Sequence, residues 1–150
     1  MATVTKRIEP HRRLGLSSTP TIQAAQKASL SSKKGAPVYI DSNGFVAASP
    51  VASVSSHSAI DTAAGDITGF LQEDGAASAS NTTKVGLIPA LPGMMFKGQL
   101  IDTTTGSLGT IAQTDLGAAM GLAKLSGDTH WGVDKGTASS LDRDWETTDL

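Results

Sequence analysis

From residue 35 onward, apolar residues come in short runs separated by glycine, proline, asparagine and small polar residues. This spacing predicts strands and turns rather than long helices. APVYIDSNGFVAAS (36–49) reads as two β segments joined at Asn43-Gly44, a dipeptide whose tolerance of positive φ suits tight hairpins. PVASVSSHSAI (50–60) alternates loosely, as a half-buried or edge strand does. GDITGFLQED (65–74) gives a further strand, and DGAASASNTT (74–83) an exposed loop. KVGLIPAL (84–91) and MMFKGQLID (94–102) follow as strands around a Pro92-Gly93 turn, and TTTGSLGT (103–110) as a loop. One helix of about two turns is expected in QTDLGAAMGLAKL (113–125), with Thr114 as N-cap, Asp115 on the favourable end of the dipole and Gly121 as the stop. GDTHWGVDKG (127–136) returns to a strand or tight hairpin bearing Trp131 and Val133.

Alternation within MMFKGQLID divides the residues between two faces. Met94, Phe96 and Leu100 share the face expected to close the core. Met95, Lys97, Gln99 and Ile101 share the other, where Met95 and Ile101 are expected to meet another subunit. The most apolar stretch, LIPALPGMMFKGQL (87–100), is interrupted by Pro89, Pro92, Gly93, Lys97 and Gly98, so it cannot supply the ~20 apolar residues of a membrane span. No apolar run follows the charged MATVTKRIEPHRR, and a soluble product without a secretory signal is expected.

Composition narrows the class. The 150 residues suit one domain; 39% are hydrophobic, 4% aromatic and none is cysteine. The core must therefore be built from small side chains, without disulfides or thiolate metal sites. The net charge of −2 conceals an asymmetry: residues 1–34 carry seven lysines and arginines against one glutamate, a net of +6, and the remainder carries five basic and thirteen acidic residues, a net of −8. With few large apolar residues, 1–34 reads as a basic extended N-terminal arm on a β-rich domain of 35–150. TPTIQAAQKASL (19–30) could instead form a short helix with Thr19 or Thr21 near its cap. Lys6, Arg7, Arg12, Arg13, Lys33 and Lys34 become candidate partner contacts with Met95 and Ile101. Nucleic-acid binding is not expected, because the arm lacks interleaved aromatics and the body is acidic.

Catalytic patterns are missing from the sequence. His11, His57 and His130 form no metal-binding pattern, GSLG (106–109) falls one residue short of a nucleophile elbow, and no phosphate-binding glycine loop occurs. Asp41-Ser42-Asn43-Gly44 opens like a calcium loop, but Phe45 stands at the next ligand position and no closing glutamate follows. Neither an enzyme nor a cofactor or metal is expected, although a hydrolase with a Ser/His/Asp site assembled in space stays open as an alternative.

The succession KGAPVYID, GFVAAS, ITGFLQEDG, KVGLIPALPGMMFKGQLID and LGTIAQTDLGAAMGLAKLSGDTHWGVDKG, spanning about 34–136, resembles the head decoration, or cement, proteins of tailed bacteriophages. The resemblance implies a mainly β fold: a small β-barrel or β-sandwich body with one short helix and an extended N-terminal arm. It further implies a virion protein on the capsid surface, often trimeric, that binds the major capsid protein and stabilises contacts between its subunits. Another phage structural module, associated with tail, fibre or host attachment, is the alternative. The family would continue β structure beyond DWETTDL (144–150).

Overall fold

The computed structural model describes residues 2–13, 19–48, 53–54, 67–91, 94–115 and 120–135. The first hairpin shows how locally the turns are specified. Asp41 Oδ1 accepts the amides of Asn43 (2.9 Å) and Phe45 (3.0 Å), and Gly44 sits at φ +81°, where a side chain is disfavoured. That five-residue loop brings Ile40 opposite Val46.

Among the described residues the fold is mainly β. The strands are β1 (Glu9–Arg13), β2 (Ile22–Ala25), β3 (Pro37–Ile40), β4 (Val46–Ala48), β5 (Ser53–Val54), β6 (Gly69–Leu71), β7 (Lys84–Pro89), β8 (Met94–Lys97), β9 (Leu100–Asp102), β10 (Ser107–Leu108), β11 (Gly121–Ala123) and β12 (Gly132–Asp134). They form an antiparallel sheet β2-β7-β6-β3-β4, a sheet β10-β9-β12-β11-β5 whose β9–β12 pair alone is parallel, and an antiparallel pair β1-β8. These sheets do not close into a barrel. One bridge, Gln26 with Val46, ties the residue after β2 to the opposite edge strand β4.

All three sheets contribute to one core. Val38, Phe70, Leu71, Val85 and Leu87 come from the first sheet, Leu100, Leu122 and Val133 from the second, and Phe96 packs in from β8, its ring 4.6 Å from that of Phe70. A smaller cluster lies on the opposite face of the second sheet, where Ile101 and Ala123 meet Val4 and Leu125.

Of three expectations, the first falls largely outside the described residues and the other two are corrected. Of the helix expected in 113–125, the body at 116–119 lies outside the described residues; Gln113–Asp115 before it form a 3-10 turn, and β11 begins at Gly121, the expected stop. Asp115 Oδ2 accepts the Ala112 amide at 2.8 Å, which closes a turn, and past Gly121 Leu122 is buried between β12 and β5.

Secondly, the described part of 1–34 does not stand away from the body. β1 pairs with β8, β2 pairs with β7, and Val4, Ile8 and Leu30 are buried. Apolar residues too sparse to signal a strand suffice here, because each fills a separate gap in a core made elsewhere.

Thirdly, Ile101 is not on an outer face. Leu100 and Ile101 do point to opposite sides of the sheet, as alternation requires, but Val4 covers the second side and leaves Ile101 fully buried. The expected strand over 94–102 also breaks at Gly98-Gln99, which sends β8 to β1 and β9 into the second sheet. Pro92-Gly93, His57 and the tail 141–150 with Trp145 lie outside the described residues.

Candidate functional site

Two local constraints gather basic residues that are distant in sequence. Gln99 Oε1 accepts the amides of Thr5 (2.8 Å) and Lys6 (2.9 Å), which lays the N-terminal segment along the Gly98-Gln99 break. On the other side, Gly35 at φ +81° lets the 33–36 turn press against Ile8, where an added Cβ would come within 2.7 Å of the Ile8 carbonyl oxygen. Lys33 and Lys34 are thereby set beside Arg7, and Lys97 enters from β8.

Asp74 organises part of this cluster. Its carboxylate accepts the Lys34 amide at 2.7 Å and meets Lys33 Nζ at 3.0 Å and Arg7 Nη1 at 3.6 Å. The Lys34 amide foremost, and then the Lys33 ammonium, hold its pKa below the usual aspartate value. Across the β1–β8 pair, Glu9 meets Lys97 at 3.0 Å. The side chains of Lys6 and Lys34 are exposed and have no acidic partner among the described residues. Five cations against two carboxylates leave a net charge of +3.

Lys6, Arg7, Glu9, Lys34 and Lys97 of this cluster line a groove of about 650 Å³ together with Thr5 and Gly98. Glu9 and Lys34 also border a second hollow of about 330 Å³, walled by Ile8, Pro10, Leu71, Gln72 and Ile88. The two form neighbouring lobes, one basic and one mixed apolar and polar. Exposed ion pairs such as Glu9–Lys97 contribute little to stability, about 0–1 kcal/mol each. The chemical consequence of the cluster is a local positive field on a chain of net charge −2.

The residues expected to contact partners divide as follows. Lys6, Arg7 and Lys34 line the groove, and Lys33 is joined to them through the Asp74 carboxylate that it shares with Arg7. Arg12 and Arg13 are placed only by their backbone, on β1 opposite Met95 and Met94. Met95 is half-buried, and Ile101 is covered by the chain itself. Lys97, Asp74 and Gln99 are not legible as site residues, because only long-range folding brings them beside the N-terminal segment, and Glu9, within that segment, joins the site through its pairing with Lys97 across β1–β8.

A second polar cluster has a structural role. The Asp128 side chain, 3% exposed, accepts the Val4 amide at 2.6 Å and the His130 amide at 3.0 Å, and Asp128 Oδ1 lies 3.1 Å from His130 Nδ1. Burial pushes this carboxyl up, but the amides of Val4, His130 and Thr129 together with the imidazole outweigh it and hold the pKa below the usual value. His130 is thus bound into a loop tie, and His11 lies exposed on β1. Asp134, fully buried, accepts the amide and hydroxyl of Thr103 at 3.0 and 2.6 Å. Among the described residues no group of three or more His, Cys, Asp or Glu could hold a metal, and no helix is long and apolar enough to cross a membrane.

No protein-family model, curated protein or solved structure matches the chain.

Proposed function

We propose that this chain is a structural virion protein that binds the outer surface of a tailed-phage capsid and stabilises contacts between major capsid subunits. Its body would form a sandwich around the main core and assemble as a trimer. The observation that carries this reading is the basic groove, in which Lys6 and Lys34 have no acidic partner among the described residues. The resemblance over residues 34–136 supports it independently and supplies the coat as partner.

A lattice of identical sites lets weak contacts add through multivalency, and binding to the assembled shell alone stabilises that shell by mass action. The test is co-sedimentation with expanded capsids stripped of decoration. Saturable binding that raises the temperature of capsid disruption is expected. Failure to bind, or capsids equally heat-resistant with and without the protein, would refute the proposal. Deleting residues 1–34 is unsuitable for this test, because Val4, Ile8, Leu30 and two strands would be lost with them.

A further inference from the structure

We infer that the groove is a binding site for an extended acidic peptide, with carboxylates of the peptide at Lys6 and Lys34 and an apolar side chain in the lobe walled by Pro10, Leu71 and Ile88. The inference rests on the decoration reading only for the source of the segment, a coat subunit.

Three features select this ligand class. Charge comes first. Arg7 and Lys33 are engaged by Asp74 and Lys97 by Glu9, whereas the Lys6 and Lys34 ammonium groups have no carboxylate within reach among the described residues. Anions are therefore attracted to two points rather than to a continuous basic strip.

Spacing is the second feature. An extended peptide presents side chains on one face about every 7 Å, so it can place acids at chosen positions and pass Glu9 with a neutral residue. A nucleic-acid strand carries a phosphate at every nucleotide and would set one against Glu9 wherever it crossed the groove. Glu9, the carboxylate that lines the groove, thus discriminates against a polyphosphate chain while tolerating a patterned acidic peptide.

The third feature is the shape and character of the walls. Glu9 and Lys34 border both lobes, so a ligand that leaves the basic lobe meets apolar surface from Pro10 and Ile88. A small anion would fill only one lobe. A peptide with one apolar residue ahead of two acids separated by a neutral residue on the same face would use both.

The experiment measures binding of a fluorescein-labelled peptide, GLSDSSSESG, whose two acids share one face with a neutral serine between them, to the full chain by anisotropy. Parallel probes are the same peptide with Asn and Gln for its acids, and labelled oligo-dT. The acidic peptide should bind with an affinity that weakens with salt, and Lys6→Glu with Lys34→Glu should weaken it by about tenfold or more. Lys84→Glu, an exposed lysine on β7 outside the groove, should bind like the parent chain. Equal binding of the neutral peptide, tighter binding of oligo-dT, or an unchanged affinity in the Lys6/Lys34 variant with an unaltered melting curve would each overturn the inference. The same variants are assayed on stripped capsids. Capsid binding without peptide binding refutes the groove assignment and leaves the decoration reading standing; peptide binding without capsid binding does the reverse.

Discussion

Ile101→Ala distinguishes a residue that faces a neighbouring subunit from one that the chain itself buries. In the structure Ile101 is 0% exposed and packs with Val4, Ala123 and Leu125. Gly132 lies so close below it that a Cβ there would come within 2.7 Å of Ile101 Cγ2. The substitution removes three carbons, worth ~0.8 kcal/mol each in transfer free energy. Because the walls are ladder strands β9, β11 and β12, they can collapse only partly, and the residual cavity brings the expected loss to about 3–4 kcal/mol. Urea unfolding followed by tryptophan fluorescence measures this directly, since Trp131 is buried in the core. An unchanged slope with a midpoint shifted to lower urea is expected. A loss below about 0.5 kcal/mol is the behaviour of an exposed site and would refute the burial of Ile101.

Two further substitutions probe the ties that shape the groove. Gly35→Ala combines a positive φ with a Cβ placed 2.7 Å from the Ile8 carbonyl oxygen; a loss of about 2–3 kcal/mol in urea unfolding is expected, and a change within 0.5 kcal/mol would contradict the close approach. Asp128→Asn turns an amide donor toward one of the donors that the carboxylate now accepts, and should cost about 2–4 kcal/mol with faster hydrogen exchange at Val4. The pH response has a definite sign. Asp128 and Asp74 have folded pKa values below their unfolded ones, so their stabilisation is present above the unfolded aspartate value and is lost as pH falls through about 4 and below. Acid unfolding curves of the parent should show this decline, and Asp128→Asn should flatten it; an equally steep decline in the variant would show that Asp128 does not contribute.

Individual strands and turns were legible because their causes are local. Asn43-Gly44 marks the β3–β4 turn, the apolar run of KVGLIP marks β7, and the small-polar run 74–83 contains no strand. The end of the 113–125 segment is not legible in the sequence, because the pairing that makes Gly121–Ala123 a strand comes from partners at 53–54 and 132–134. Only half of the candidate site was visible for the same reason. A run of basic residues near the N-terminus can be read directly, but Asp74, Lys97 and Gln99 become its neighbours through long-range folding alone.

By itself, the sequence determined a mainly β chain without cysteine, with a basic first segment ahead of an acidic remainder, since composition, turn residues and alternation act over a few positions. Tertiary structure decided how those pieces are used. It drew residues 2–13 and 19–34 into the sheets and core, covered Ile101 with Val4, and left Lys6 and Lys34 as the uncompensated cations of a groove. Alternation says that two side chains point to opposite faces, but whether the second face meets water, a partner or the chain itself depends on long-range packing.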